Sequence, residues 1–325
     1  MEQVKINELI SGGPANLFLM IESVAVKQKK SGDKYMSFVL KDKSGKISAN
    51  YWSPSRADLG AFAANDIVYV ESETESYQEK IQLNIRKIRK VQDSDGVGLS
   101  DFIKSSPKTG EEMYREVIAY IEKYVDNDDL KKLTLTVYED YKEKLLTWPA
   151  AISFHHAEIG GLLRHTIGVM RGCFYMYQAY KFLNKDLLLC GAALHDIGKL
   201  YEYVQNDNGL LKEMTVDGAL VSHIIRGAMI IEDYGKRLGT DPEVMVLLTH
   251  MILSHHGKPE FGSSVTPRIP EAFILHEMDD IDAKVYEMED ALAKVKEGTL
   301  TERQRAFDDA RLYRSPMLTV GEDFL

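Results

Sequence analysis

The sequence predicts a two-part protein, with a small all-β barrel followed by an all-α domain. Short runs of β-forming residues separated by turns occupy residues 15–91. From residue 111 onward, apolar residues recur at i, i+3 and i+4, which is the spacing of amphipathic helices. A chain of 325 residues is long enough for two domains that each have a hydrophobic core.

The first part is predicted to contain five strands. Alternation is clearest after residue 46, where Ile47, Ala49 and Tyr51 share one face and Trp52 lies on the other. The other strands are predicted at residues 17–21, 35–40, 67–70 and 81–85, and a short helix is predicted at 54–64. Five strands with a helix before the fourth match an OB barrel, and an SH3-like barrel is the alternative.

The second part is predicted to be helical throughout. The helical segments are 111–125, 128–146, 159–182, 186–198, 221–237, 242–255 and 270–295. Residues 92–110 are rich in Gly, Ser and Asp and read as a linker. The predicted division is therefore an OB domain at 1–91, a linker at 92–110, a helical domain at 111–298 and a tail at 299–325, which could wrap the body or a partner.

Composition and charge narrow the class of protein. The net charge is −10, which argues against a surface that binds nucleic acid everywhere. The first 95 residues hold 14 Lys and Arg against 13 Asp and Glu, so the remainder holds 26 against 37. Cys173 and Cys190 lie in apolar stretches and read as core thiols, which fits a reducing cytoplasm. We expect no membrane segment, because no apolar run approaches about 18 residues.

The helical part carries a set of metal-binding side chains in a fixed order. Imidazole and carboxylate are the ligands that borderline and hard divalent ions prefer. Seven such groups exceed the need of one ion and suffice for two ions about 3.5–4 Å apart, which can clamp a phosphoryl ester. The candidate ligands are His165, His195, Asp196, His223, His255, His256 and Asp279.

This order resembles that of the HD superfamily of metal-dependent phosphohydrolases. Together with the barrel, it is similar to the YhaM-type 3′–5′ exoribonucleases. Three segments carry the resemblance: residues 160–166 (GGLLRHT), 194–199 (LHDIGK) and 252–257 (ILSHHG), followed by Asp279 in 275–279 (LHEMD). The resemblance implies that His165, His195, Asp196 and Asp279 hold the tighter ion, and that His223, His255 and His256 complete a second site.

The implied activity is 3′–5′ hydrolysis of single-stranded RNA to nucleoside 5′-monophosphates, with single-stranded DNA as a further candidate substrate. Asp196 and Lys199 are the predicted catalytic residues, with the Lys199 ammonium neutralising charge that develops on the phosphate. The resemblance favours Mn²⁺ or Co²⁺. Iron, zinc and magnesium are not excluded, since no thiolate stands among the ligands.

Some assignments stay open at the level of sequence. Asp280 and Asp282 lie so close to Asp279 that any of the three could be the ligand. His155 and His156 could contact the scissile phosphate or a terminal ribose, or form a polar loop. The physiological metal, the RNA or DNA preference and the length of the final product are also open.

The barrel carries candidate residues for binding a single strand. Trp52 and Tyr77 are predicted to stack on bases, an interaction that tolerates any sequence. A basic patch in the first hairpin could follow the phosphates, and its members are Lys27, Lys29, Lys30 and Lys34.

Two other functions compete with the exonuclease. One is an HD-type hydrolase of small nucleotides, which has no evident need of a barrel. The other is a single-strand binding or replication accessory protein, in which the helical part would be a scaffold. A homo-oligomer is implied largely by the resemblance, and the segment 128–146 and the tail offer apolar surface for self-association.

Overall fold

The chain divides into two compact units, residues 1–105 and 106–325. The structure is a computed structural model, and it describes residues 4–78, 80–98, 101–102, 108–150, 159–205 and 211–320. In that part of the chain, no helix is long and apolar enough to cross a membrane.

The first unit is a closed five-stranded barrel. Its strands are β1 (Pro14–Gln28), β2 (Lys34–Asp42), β3 (Gly45–Tyr51), β4 (Ile67–Tyr77) and β5 (Lys80–Lys90). They follow the order β1-β2-β3-β5-β4 around the barrel, with β3 and β5 parallel and the other described pairs antiparallel. This Greek-key closure is the OB plan, so the predicted fold of the first part is confirmed.

Alternation along the strands fills the barrel interior. Leu19, Phe38, Val70 and Leu83 belong to a core of buried side chains that the strands point inward. Residues between them on the same strands face outward, as the two-residue period of a strand requires. The same alternation places Ile47 and Ala49 inside and leaves Trp52 exposed, as the sequence predicts.

The predicted helix at 54–64 is wrong, because the structure has consecutive turns there. The Asp58 carboxylate accepts a hydrogen bond from the backbone N–H of Ser55 at 2.8 Å, which holds a local turn instead of a helical one. Gly60 then adopts a φ of +88°, outside the helical region. The chain crosses from β3 to β4 through these turns.

The second unit is mostly helical, and its helices agree closely with the predicted ones. They are α1 (Gly110–Tyr124), α2 (Asp128–Asp140), α3 (Lys142–Leu145), α4 (Gly161–Ala179), α5 (Lys185–Leu194), α6 (Lys199–Glu202), α7 (Val216–Leu238), α8 (Pro242–Ser254) and α9 (Pro270–Ala293). The sequence did not predict a two-stranded hairpin, β6 (Tyr203–Gln205) and β7 (Leu211–Met214), between α6 and α7.

Local signals explain where several helices begin. The side chains of Asn184, Thr215 and Asp241 each accept a hydrogen bond from a backbone N–H in the first turn of α5, α7 and α8. Thr109 and Glu112 form a reciprocal capping box at the start of α1. These caps satisfy N–H groups that the helix itself leaves without partners.

Helix packing brings the histidine-bearing segments together. In the second unit, α4 packs against α5 and α9, and α8 packs against α5, α7 and α9. Gly198 permits a close approach of the turn before α6 to α7, because a Cβ atom there would lie 2.0 Å from the carbonyl oxygen of His223. Residues 299–318 follow α9, and Arg314 donates hydrogen bonds to the carbonyls of Leu292 and Val295 at the end of that helix.

Candidate metal centre

The candidate ligands come from the ends and inner faces of α4, α5, α7, α8 and α9. His165 lies on α4 and Asp279 on α9. The expectation that His195 and Asp196 sit within a helix is wrong: α5 ends at Leu194, His195 is its C-cap, and α6 starts only at Lys199. The His195–Asp196 pair therefore occupies a turn between two helices, which lets both side chains enter the same space.

One group of ligand atoms is deeply buried. The Nε2 atoms of His165 and His195 are 3.2 Å apart, and a carboxylate oxygen of Asp279 lies 3.0 Å from the first and 3.7 Å from the second. Both imidazole side chains are fully buried. His165, His195 and Asp279 could together hold one metal ion.

A second group faces the solvent more. His223, His255 and His256 each offer a ring nitrogen, and these atoms lie within 4.8 Å of one another. In the described part of the chain, the buried Nε2 atoms of His223 and His255 have no hydrogen-bond partner. Buried polar atoms are normally paired, so these two nitrogens fit a site that an ion completes.

Asp196 lies between the two groups. Its Oδ2 atom is 3.4 Å from Nε2 of His195 and 3.8 Å from Nε2 of His165. Its Oδ1 atom is 3.7 Å from Nε2 of His255 and 3.8 Å from Nε2 of His223, and it too has no hydrogen-bond partner among the described residues. One carboxylate therefore presents one oxygen to each group.

The second ring nitrogen of each histidine fixes its orientation. The Nδ1 atoms of His195, His255 and His256 donate to backbone carbonyls of Ala192, Ile252 and Phe261, at 2.8, 2.7 and 2.8 Å. Because a carbonyl can only accept, these bonds place the proton on Nδ1 and leave Nε2 with a lone pair. Neutral imidazole in this tautomer is the form that binds a metal ion.

Carboxylates orient the other two rings. The Nδ1 atom of His223 lies 2.9 Å from an oxygen of Glu202, and that of His165 lies 2.7 Å from an oxygen of Asp282. Sequence reasoning missed Glu202, because its contact with His223 joins residues 21 positions apart. It left Asp279, Asp280 and Asp282 as three possible ligands. The geometry favours Asp279, because Asp282 contacts Nδ1 of His165 and Asp280 accepts a hydrogen bond from Lys284 at 2.7 Å.

The charges of the site shift several pKa values. Burial lowers the pKa of His165, but the adjacent carboxylates of Asp279 and Asp282 outweigh it and raise that pKa to about 10. Burial and the neighbouring histidines hold the pKa of His255 well below its usual value. Burial opposes ionisation of Asp196, yet Lys199 and His195 hold its pKa well below the usual range. The site without metal therefore keeps ionised carboxylates beside a neutral His255.

Lys199 contacts the site directly. Its ammonium group lies 2.7 Å from Oδ2 of Asp196, and its side chain is largely buried. Burial alone would lower the pKa of Lys199, but Asp196 raises it, so the ammonium stays charged. Lys199 is the first residue of α6, and its side chain reaches the space that Asp196 enters.

Strained backbone precedes His223. Ser222 has a φ of 67° and a ψ of 159°, a region that residues other than glycine rarely adopt, and α7 is kinked there. No sequence signal indicated this kink.

His155 and His156, which the sequence left open as possible substrate contacts, lie outside the described residues.

On the barrel, the structure joins some of the predicted strand-binding residues. Trp52 is 42% exposed and stacks on Tyr35 with ring centroids 4.7 Å apart. Lys29 lies over the Trp52 ring at 5.8 Å, and the Trp52 Nε1–H donates to Asn84 at 2.9 Å. Lys27, Lys30 and Lys34 are exposed beside this pair in the β1–β2 hairpin.

Tyr77 lies at the other hairpin, between β4 and β5, and is 60% exposed. It borders a groove of about 750 Å³ that Lys46, Lys80 and Gln82 also line. Glu75 accepts hydrogen bonds from Gln82 and Asn84, and Asn84 in turn accepts from Trp52. A chain of polar side chains therefore runs along the barrel from Trp52 towards Tyr77.

Comparison with known proteins agrees with the site. A model of the HD domain matches residues 162–284, so the second unit contains an HD domain. The chain is 35% identical over 303 residues to the 3′-5′ exoribonuclease YhaM of Geobacillus sp. (strain WCH70), which covers 93% of this chain and 92% of the relative. The protein of the same name from Shouchella clausii is 34% identical, and the match covers 95% of this chain and 94% of that relative. The chain belongs to the YhaM family.

Solved structures resemble the first unit only in fold. A domain of replication protein A from Methanococcus maripaludis covers 28% of this chain and 97% of that domain, at 18% identity and a TM-score of 0.24. The OB assignment rests on strand order and not on this likeness.

Proposed function

We propose that this protein is a metal-dependent 3′–5′ exoribonuclease that shortens single-stranded RNA and releases nucleoside 5′-monophosphates. Two lines support the proposal. The relatives that match nearly the whole chain are named 3′-5′ exoribonucleases. The second unit holds two groups of side chains that could each bind a metal ion, with Asp196 between them, and a pair of ions suits hydrolysis of a phosphodiester.

The observation that carries the proposal is the position of Asp196. Its two oxygens face different groups of histidines, at 3.4 Å from His195 and 3.7 Å from His255. A carboxylate that serves two groups is suited to hold two ions close together. We propose that one ion is held by His165, His195, Asp196 and Asp279, and that the second is held by His223, His255, His256 and Asp196.

The bound ions would supply an activated water and offset charge on the phosphoryl oxygens. The side chains around them have separate tasks. Glu202, Asp282 and the backbone carbonyls keep each imidazole turned so that Nε2 faces the site. Lys199, fixed beside Asp196, would stabilise negative charge that develops on the transferring phosphate.

We propose Mn²⁺ or Co²⁺ as the working ion. The ligand set has five imidazoles and two carboxylates and no thiolate, which suits several divalent ions and does not select zinc. The family resemblance supplies the preference for manganese or cobalt.

The barrel would bind the strand that the HD domain shortens. Trp52, with Tyr35 and Lys29 beside it, combines an exposed aromatic face with positive charge. Such a platform binds any base and does not require a 2′-hydroxyl, so single-stranded DNA is a second substrate to test. A cytoplasmic location and self-association stay predictions from the sequence.

A 5′-labelled single-stranded RNA, incubated with metal-stripped protein with and without Mn²⁺, tests the proposal on a denaturing gel. We expect a ladder that shortens from the 3′ end only when Mn²⁺ is added. Asp196→Ala is the control, because strand binding should survive while shortening disappears. Intact RNA with every divalent ion tried would reject the exonuclease and leave a nucleotide hydrolase or a binding protein.

A further inference from the structure

The loop between α8 and α9 carries an exposed aromatic residue whose backbone contacts a candidate metal ligand. The loop follows His256 and contains Lys258 and Phe261. We propose that Phe261 is a stacking platform for a nucleobase next to the scissile phosphate, and that Lys258 binds the adjoining backbone phosphate. This inference rests on the proposed exoribonuclease function and names the part of the site that holds the substrate.

The position of Phe261 is tied to the metal centre. Its backbone carbonyl accepts a hydrogen bond of 2.8 Å from Nδ1 of His256. A Cβ atom on the next residue, Gly262, would lie 3.8 Å from Nδ1 of His256 and 3.9 Å from Ile224, which directly follows His223. The loop therefore lies against His256 and against Ile224, the residue that follows His223.

Backbone hydrogen bonds hold the loop in one shape. Residues Pro259–Phe261 form a 3₁₀ turn, and the N–H groups of Phe261 and Ser263 both donate to the carbonyl of Lys258, at 3.0 and 3.2 Å. The N–H of Ser264 donates to the carbonyl of Leu253 at 3.1 Å, which anchors the loop to α8. A platform that is already ordered loses little entropy when a base binds to it.

The side chains of the loop have the chemistry of a nucleotide site. Phe261 is 63% exposed although it lies in an ordered turn, and the Lys258 ammonium lies 6.0 Å from the centre of its ring. Exposed aromatic faces bind bases of any identity, and a nearby lysine adds attraction for phosphate. Glu260 is the exposed acidic neighbour, so the loop carries a mixed charge and does not attract RNA by charge alone.

Binding measurements test this role without hydrolysis. Two Mn²⁺-loaded proteins would be titrated with fluorescent single-stranded RNA: the Asp196→Asn variant, and the same variant that also carries Phe261→Ala. We expect the substitution to weaken binding roughly 5- to 150-fold, the loss typical of one stacked base. RNA that lacks the base of the 3′-terminal nucleotide, or of the one before it, shows which base is stacked. For the strand that lacks the stacked base, the proteins with Phe261 and with Phe261→Ala should bind with equal affinity.

Matched variants separate stacking from general damage. Phe261→Trp should retain binding, and Phe261→Leu should lose it, because leucine is apolar but offers no aromatic face. Phe182→Ala is the control, since Phe182 is 75% exposed but lies beyond the far end of α4, about 20 Å along the helix from His165. Lys258→Gln should weaken binding less and should reduce its dependence on salt.

The proposal is overturned if the Phe261→Ala protein binds intact RNA as tightly as the protein with Phe261 does. It is also overturned if the substitution weakens binding of both abasic strands by the same factor as binding of intact RNA. Failure of the underlying function has a different signature. In that case the unsubstituted protein does not shorten RNA with any divalent ion, whatever the Phe261 variants bind.

Discussion

The Nδ1 atom of His165 lies 2.7 Å from a carboxylate oxygen of Asp282, although the two residues are 117 positions apart in the chain. Gly168 makes this approach possible, because a Cβ atom there would lie 1.9 Å from the Asp282 carboxylate. The contact turns Nε2 of His165 towards His195 and Asp279. The imidazole of His165 is thus oriented by Asp282, whereas its Nε2 atom faces Asp279, the carboxylate that the geometry favours as the ligand.

Asp282→Asn should weaken Mn²⁺ binding without removing a ligand. Loss of a carboxylate that orients a ligating histidine typically costs about 10- to 100-fold in metal affinity. Titration calorimetry on metal-stripped protein measures the change. Asp280→Asn is the matched control, because Asp280 pairs with Lys284 on the surface. The Mn²⁺ affinity of this variant should be unchanged. Equal affinity in both variants would show that Asp282 does not orient His165.

Gly198→Ala should separate the His195–Asp196 turn from α7. The added Cβ would lie 2.0 Å from the carbonyl oxygen of His223 and 2.7 Å from the backbone nitrogen of Gly227. We expect the free energy of unfolding to fall by about 1–3 kcal/mol, as for other overpacked sites. Denaturant unfolding of the metal-free protein measures it. Gly13→Ala, which has open space around the new methyl group, should change stability little.

Ser222→Gly should stabilise the metal-free protein. The backbone at Ser222 has a φ of 67° and a ψ of 159°, where strain of about 1–3 kcal/mol is typical for a residue other than glycine. Glycine relieves that strain and costs about 0.5–1 kcal/mol of chain entropy, so the net gain should be about 1 kcal/mol. Denaturant unfolding measures the gain. Ser222→Ala keeps the strain and should not raise the free energy of unfolding. A lower free energy of unfolding in Ser222→Gly would show that the backbone at Ser222 is not strained.

The raised pKa of His165 should make metal binding depend on pH. Burial lowers this pKa, but the carboxylates of Asp279 and Asp282 raise it to about 10. Between pH 7 and 9 the ring is protonated in the metal-free protein, so an ion must displace the proton. Calorimetry in buffers of different ionisation enthalpy should show release of about one proton per protein at pH 8. No release would contradict a protonated His165.

The same shift has a consequence for stability. A histidine whose pKa is higher in the folded state stabilises the fold fully below its unfolded value near 6.5, and the contribution disappears as pH rises through the folded value. The melting temperature of metal-free protein should therefore fall between pH 7 and 10. An Asp279→Asn Asp282→Asn double variant should lose most of this slope, because the two carboxylates that raise the pKa of His165 would then be uncharged amides.

Trp52→Ala should weaken binding of single-stranded RNA to the barrel. The ring stacks on Tyr35 and is held by Asn84, so it offers a fixed face to a base. We expect a loss of about 1–3 kcal/mol, which fluorescence anisotropy can measure. Tyr69→Ala is the control, because Tyr69 pairs with Phe18 on the side of the barrel where β1 meets β4. Equal losses in both variants would argue against a specific strand path over Trp52.

Much of this architecture could be predicted from the sequence because the signals are local. The two-residue alternation around Ile47 and the i, i+3, i+4 spacing of the helices depend only on neighbours in the chain. The ligand order could be read for the same reason, since each histidine stands in a short apolar segment. The turn at 54–64 was harder to foresee, because the choice between a helix and a turn depends on how Asp58 pairs with Ser55.

The remainder depends on contacts between distant segments. Glu202 orients His223 across 21 residues, and Asp282 orients His165 across 117. The strain at Ser222 arises where α7 passes the His195–Asp196 turn at Gly198, which no pattern in the sequence records. Likewise, only the folded chain shows that Asp196 turns one oxygen towards each group of histidines.

The number and coupling of bound Mn²⁺ ions test the central claim most directly. Metal-stripped protein would be titrated with Mn²⁺ and followed by electron paramagnetic resonance. We expect two ions per chain with a spin-coupled signal, because Asp196 lies between the two groups of ligands. Asp196→Asn should abolish the coupling. One ion per chain, or two ions without coupling in the unsubstituted protein, would contradict a paired site around Asp196.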